Sequence, residues 1–220
     1  VTSLRSISAS LVSADLGHLA EAVAGLERAG ADRLHIDIED GLFVPNFSLG
    51  FPTLQATKRY ATLPLEVHLM VQNPEPYFLR VAQMGADLIA VHFESLPYPR
   101  RALAAIRALQ RKAYLAFNPR TPTADALYLA DMLDGLLLLS SEPDGVGDLF
   151  IPAAVRKLCE ARQAFPKLDI IVDGGITPDL AEHLWRSGAS TVVAGRAIFG
   201  ASDLAGAIRG LRGQEREELS

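Results

Sequence analysis

Eight short runs of apolar and β-branched residues recur along the chain, each followed by a longer mixed stretch, and this alternation restricts the fold more than any other feature. The runs are Ser6–Ser10, Arg33–Ile38, Leu65–Met70, Leu88–Phe93, Ala113–Phe117, Gly135–Ser140, Asp169–Asp173 and Thr191–Gly195. Between them, amphipathic segments such as Leu16–Ala29, Pro76–Met84, Arg100–Gln110, Ala153–Gln163 and Asp179–Ser187 predict helices. Strands that alternate with helices join as βαβ units into a parallel sheet. Several runs are apolar at successive positions, which suits strands buried on both faces.

The spacing separates two α/β architectures. Gly30-Ala31-Asp32, Gly85-Ala86-Asp87 and Gly188-Ala189-Ser190 each end a helix and open a strand, and Asp134-Gly135 fills the missing slot. These marks fall at roughly 50- to 55-residue intervals, two βα units each, which is a quarter-barrel period. Glycine is a good helix C-cap, which explains each mark but not their regular interval. An open doubly wound sheet would carry a Gly-rich turn after its first strand, where this chain has Leu11-Val12-Ser13-Ala14-Asp15. The expected fold is therefore α/β: a single (β/α)8 TIM-barrel domain over residues 1–220, with a polar tail from about residue 214 that frays.

Composition narrows the partners. A net charge of −5 argues against a general nucleic-acid binder. It leaves an anionic substrate open, because local backbone N–H groups can hold phosphate whatever the global charge. No apolar run approaches the roughly 20 residues of a membrane span. The single cysteine, Cys159, excludes an intrachain disulfide and is expected to pack within a helix. The first residues lack the layout of a secretory signal, so a cytoplasmic enzyme is expected. A homo-oligomer acting on a small molecule is the expected assembly.

In a barrel the active site lies at the C-terminal ends of the strands. Those ends read Ser10, His35 with Asp37, His68, His92, Asn118, Ser140, Asp173 and Gly195, a far more polar set than the strands leading to them. A strand puts His35 and Asp37 on one face and Ile36 and Ile38 on the other, towards the helices. The same alternation turns His68 inward. Burying two carboxylates and two imidazoles without partners is costly. One divalent metal per chain, Zn²⁺, Mn²⁺, Fe²⁺ or Co²⁺, would give His35, Asp37, His68 and Asp173 a common partner.

Several spaced motifs closely resemble the ribulose-phosphate 3-epimerase family. They are His35-Ile36-Asp37, Asp40-Gly41, Phe43-Val44-Pro45-Asn46, Val67-His68-Leu69-Met70, Asn73-Pro74-Glu75 and Val172-Asp173-Gly174-Gly175-Ile176. Ser8-Ala9-Ser10, Ser13-Ala14-Asp15, Asn118-Pro119, Thr121-Pro122, Phe150-Ile151-Pro152, Ala194-Gly195 and Ala197-Ile198-Phe199 extend the likeness, in order, from Ile7 to Phe199. The resemblance implies metal-dependent epimerisation at C3 of a ketose phosphate, D-ribulose 5-phosphate to D-xylulose 5-phosphate, or a tetrulose or hexulose analogue. It implies the same four metal ligands, with Asp37 and Asp173 as an acid/base pair on opposite faces of the substrate. Removing a proton beside a ketone leaves an enediolate, whose charge a metal offsets. Ser10, His68, Met70, Gly174, Gly175 and Gly195 are implied substrate contacts, as are Gly145 and Gly147 in a phosphate loop after the sixth strand.

Departures from the family pattern cluster around the phosphate. The loop reads Glu142-Pro143-Asp144-Gly145-Val146-Gly147-Asp148, acidic where the family is glycine-rich. The family's Ser after Gly195 is Arg196, which resembles the phosphate-gripping arginine of related decarboxylase and hexulose-phosphate synthase barrels. Glu39 and Leu42 stand where the family usually has Met and His. Two alternatives follow from these departures. A decarboxylase or aldol lyase of the same superfamily would need an Asp-x-Lys-x-x-Asp run, but Asp37-Ile38-Glu39-Asp40-Gly41-Leu42 lacks the Lys and the final Asp. A non-catalytic sugar-phosphate binder would not need both Asp37 and Asp173.

Overall fold

The computed structural model describes residues 5–143 and 149–213, and in it all eight runs are parallel strands of one closed barrel. They are β1 (Ser6–Ser10), β2 (Arg33–Asp40), β4 (Leu65–Met70), β5 (Leu88–His92), β6 (Lys112–Phe117), β7 (Gly135–Leu139), β8 (Asp169–Asp173) and β9 (Thr191–Ala194). Each pairs in parallel with its neighbour, and β1 pairs with both β2 and β9, which closes the ring. A short antiparallel strand, β3 (Phe47–Leu49), doubles back on β2. It extends β2 two residues past the expected Ile38 and lays the Gly41–Asn46 turn beside the barrel mouth. Asp40 holds that turn by accepting from the N–H groups of Leu42 and Phe43, both at 2.8 Å, while Gly41 supplies a positive φ of 72°.

Around the barrel lie α1 (Leu19–Ala29), α2 (Gly50–Tyr60), α3 (Phe78–Gln83), α4 (Pro99–Ala108), α5 (Ala153–Ala164), α6 (Pro178–Arg186), α7 (Arg196–Phe199) and α8 (Leu204–Arg212). Between β6 and β7 the chain forms 3-10 turns over Ala124–Met132 in place of an α-helix. Cys159 is exposed on α5, contrary to the packing role expected of it: Ala154, Lys157, Leu158 and Ala161 form the buried face of that helix. No helix among the described residues is long and apolar enough to cross a membrane.

The repeated Gly-Ala-Asp marks have a structural reason beyond capping. At each mark a polar side chain just ahead of one strand accepts from the first or second N–H of the strand beside it. Asp32 accepts from Ile7 at 2.8 Å, Asp87 from Leu65 at 2.9 Å, Asp134 from Ala113 at 2.8 Å and Ser190 from Ile170 at 3.3 Å. Each mark thus satisfies an N–H at the N-terminal rim that the sheet itself leaves unpaired.

Outward-facing strand residues such as Ile7, Leu34, Ile36, Val67, Leu69, Ile89 and Val192 are buried in the large core shared with the helices. Inside the barrel a second apolar cluster joins Leu88, Ala90, Tyr114, Ala116, Leu137, Leu139, Ile171 and Val193. The inward positions of β1, β2 and β4 break this pattern with Ser8, Ser10, His35, Asp37, Glu66 and His68, all buried. One side of the interior is therefore polar.

Candidate active site

That polar side converges on a small volume at the C-terminal end of the barrel. Register aligns Asp37 with His68 and Ser10 with His35 across neighbouring strands, so four inward groups meet at nearly one level. Asp37 Oδ1 lies 2.9 Å from His35 Nε2 and 3.0 Å from His68 Nδ1. Asp173 Oδ2 approaches the same two nitrogens at 3.7 and 3.8 Å. One donor atom from each of the four residues lies within 4.8 Å of the other three. Two imidazoles and two carboxylates so converged fit a divalent cation of the zinc, manganese, iron or cobalt type. Ser10 Oγ donates to Asp37 Oδ2 at 3.2 Å and fixes the carboxylate plane.

The two carboxylates differ electrostatically. Burial opposes charge on Asp37, but His35 and His68 outweigh it and hold the carboxyl well below the usual range. At Asp173, burial and the neighbouring charge of Asp37 outweigh the attraction of the imidazoles, and its pKa rises to about 6. Burial likewise opposes charge on His35, yet Asp37 and Glu66 keep its pKa well above the ordinary value. A carboxylate pair pushed apart in this way can divide acid and base duties at neutral pH.

A cavity of about 570 Å³ opens above the cluster. Of the residues expected at the site, Ser10, Asp37, Met70, Asp173, Gly174, Gly175, Gly195 and Arg196 line it. His35 and His68 lie behind Asp37, fully buried. Glu142 and Pro143 also line the cavity, whereas Gly145 and Gly147, with Asp144 and Asp148, fall outside the described residues. At Gly174 a Cβ would collide with Ser141, and at Gly195 with the Ser13 side chain, so glycine keeps the backbone open to the cavity at both positions.

Two of the strand-end residues lie elsewhere. β7 ends at Leu139, so Ser140 is on the helix side of the wall and donates to the carbonyls of Asp173 and Gly174, while Ser141 faces the cavity. Asn118 sits away from the cavity, its carbonyl accepting from Lys157 Nζ at 2.6 Å. Reading only strand ends missed Glu66, which is fully buried one layer below His68, with Oε1 2.6 Å from His35 Nδ1. Its position two residues before His68 was the available signal.

The sequence profile described as the ribulose-phosphate 3 epimerase family matches residues 6–199. The chain belongs to that family. The ribulose-5-phosphate-3-epimerase of Arabidopsis thaliana chloroplasts is 38% identical over 96% of this chain and 77% of its own. The ribulose-phosphate 3-epimerase of Synechocystis is 37% identical over 96% of this chain and 95% of its own, and that of Bacillus subtilis 36% over 95% and 99%. Among solved structures, KGPDC from Streptococcus mutans in complex with D-R5P superposes with a TM-score of 0.75 at 16% identity, covering 95% of this chain and 96% of that one. At that identity the likeness speaks for the barrel alone. As a member of the epimerase family the protein is an isomerase, and several of the motifs that carry the likeness supply cavity residues, among them Ser10, Asp37, Met70, Asp173 and Gly195.

Proposed function

We propose that this epimerase inverts C3 of a ketose phosphate, D-ribulose 5-phosphate to D-xylulose 5-phosphate, with Asp37 and Asp173 as its acid/base pair. The observation that carries the reading is the pairing of two carboxylates, from opposite sides of one cavity, beside the same two imidazole nitrogens. Asp37 and Asp173 project from β2 and β8, strands that β1 and β9 separate. One carboxylate removes the C3 proton from one face of the sugar, and the other returns a proton to the opposite face. Whichever carboxylate acts as donor must begin protonated, and the two exchange roles when the reaction runs in the opposite direction. His35, Asp37, His68 and Asp173 would hold a divalent cation, which supplies Lewis-acid stabilisation of the charge that develops on the substrate oxygens. Ser10 keeps Asp37 aimed, and Met70 walls the cavity and excludes water from the reacting carbon.

The phosphate is assigned to the side of the cavity where Gly174, Gly175, Gly195 and Arg196 lie. Backbone N–H groups freed of side chains can approach phosphate closely, and a guanidinium adds a fork of donors. Arg196→Ala is expected to raise KM for the phosphorylated sugar roughly tenfold to a hundredfold, the equivalent of about 1.5–3 kcal/mol for a hydrogen bond to a charged group, with a smaller fall in kcat. Unphosphorylated ketose should lose nothing by the change. Equal KM for wild type and variant on the phosphorylated sugar would remove Arg196 from the phosphate site. The substrate itself is tested by following tetrulose, pentulose and hexulose phosphates by NMR. The D-ribulose 5-phosphate sample should show the C3 epimer at the highest kcat/KM, and a preference for another sugar would reassign it.

A further inference from the structure

The two histidines of the cluster present different nitrogens: His35 turns Nε2 towards Asp37, and His68 turns Nδ1. A ring nitrogen must be unprotonated to hold a cation, so the opposite nitrogen has to carry the proton. His35 therefore needs its proton on Nδ1 and His68 on Nε2. The site requires two opposite tautomers.

We propose that two separate relays impose them, Glu66 on His35, and Glu94 acting through His92 on His68, and so preset the cluster for a divalent cation. This rests on the reading of the cluster as a metal site. Glu66, His92 and Glu94 stand outside the cavity and are positioning residues.

The first relay is short. Glu66 Oε1 lies 2.6 Å from His35 Nδ1, and its Oε2 is 3.4 Å from Ser8 Oγ and 3.5 Å from the Arg33 guanidinium. Arg33 is anchored in turn by Asp169 at 2.7 Å. With Ser8 and Arg33 as donors to its other oxygen, Glu66 accepts through Oε1 from the nitrogen that faces it. With Nδ1 engaged in this way, the proton that a cation displaces is the one on Nε2, the nitrogen directed at Asp37.

The second relay has one extra ring. His68 Nε2 and His92 Nε2 are 2.9 Å apart, a distance at which one of the pair donates and the other accepts. His92 Nδ1 faces Glu94 Oε2 at 3.1 Å, and the other oxygen of Glu94 accepts from the N–H of Asn118 at 2.8 Å. Glu94 thus accepts a hydrogen bond from the N–H at His92 Nδ1, and neutral His92 has only an acceptor left at Nε2. His68 must then donate from Nε2, which bares its Nδ1. His92 is fully buried and packs against Phe43, with ring centres 4.6 Å apart, which restrains the ring in this orientation. Second-sphere groups of this kind commonly contribute 10- to 100-fold in metal affinity.

The test uses the zinc-loaded full chain with nitrogen-15 in its histidines. Two-bond proton–nitrogen correlation should show His35 coordinated through Nε2, His68 through Nδ1, and His92 protonated on Nδ1. Glu66→Gln and Glu94→Gln, whose amides can donate as well as accept, should each weaken zinc binding about 10- to 100-fold in chelator competition. The melting temperature of each metal-free variant reports its folding separately. Zinc held by His68 through Nε2, or unchanged affinity in both variants, overturns the proposal and leaves the metal site standing. Should the unaltered protein take up no zinc, manganese, iron or cobalt, the metal site falls and the relays with it. The spectrum of the unaltered protein decides the tautomers even if a variant fails to fold.

Discussion

Asp37→Asn and Asp173→Asn are each expected to lower kcat for the ketose phosphate by about 10²–10⁴-fold, the usual contribution of a general acid or base. An amide of the same shape cannot take up or release the proton. The two changes should differ in their side effects. Asp37 is bound by both imidazoles and by Ser10, so its amide disturbs a network of three partners. Asp173 is more loosely held, with its nearest imidazole nitrogen 3.7 Å away. Asp173→Asn should therefore retain more of the folded stability while losing as much turnover. Steady-state kinetics beside thermal melts separates the two effects, and near-normal turnover in either variant would dismiss the two-carboxylate mechanism.

Removing the cation has the second large effect. Dialysis against a chelator should abolish turnover, and refilling to one divalent ion per chain should restore it. The thermal shift between the two forms should also grow with pH. Without metal, Asp173 carries a pKa of about 6, above the usual carboxylate range, so the folded form keeps a proton that the unfolded form has lost. Stability of the metal-free protein then falls as pH rises from the ordinary carboxylate value through about 6. His35, raised well above its ordinary value, acts in the same direction: its contribution is full below the unfolded pKa and is lost as pH rises through the folded one. Asp37 is lowered, so its contribution is lost only in strong acid. A cation displaces the protons on Asp173 and His35, so its binding strengthens over the same range. The gap in Tm between loaded and metal-free protein should be wider at pH 8 than at pH 5.5. A constant gap, with full activity in chelator, would contradict the metal site.

Period-two alternation made much of this site legible in the sequence. It placed His35, Asp37 and His68 on the inner wall, and the end of an apolar run placed Asp173 with them. The same rule reaches Glu66, but attention to strand ends passed over a residue one layer down. His92 was visible at the end of β5, yet its role depends on Glu94, which lies in the following 3-10 turn where strand alternation no longer applies. Ser140 shares the parity of Leu136 and Leu138, which face the helices, so the same alternation puts it on the outer face and Ser141, like Leu139, on the cavity. The helix Gly50–Tyr60 gives a weak signal because it opens with Gly50 and carries Pro52 in its first turn, the one place in a helix where proline fits. The fold is legible despite these omissions because the four regularly spaced marks, with Asp32, Asp87, Asp134 and Ser190, make rim contacts to four strands.

Proton transfer at C3 in this cavity leaves a direct record in solvent isotope exchange. With the metal-loaded protein and D-ribulose 5-phosphate in D₂O, deuterium should enter C3 alone, while D-xylulose 5-phosphate accumulates to equilibrium. Asp37→Asn and Asp173→Asn should suppress that exchange. Epimerisation without deuterium at C3, exchange confined to C1, or no exchange with a full metal site would each contradict the account.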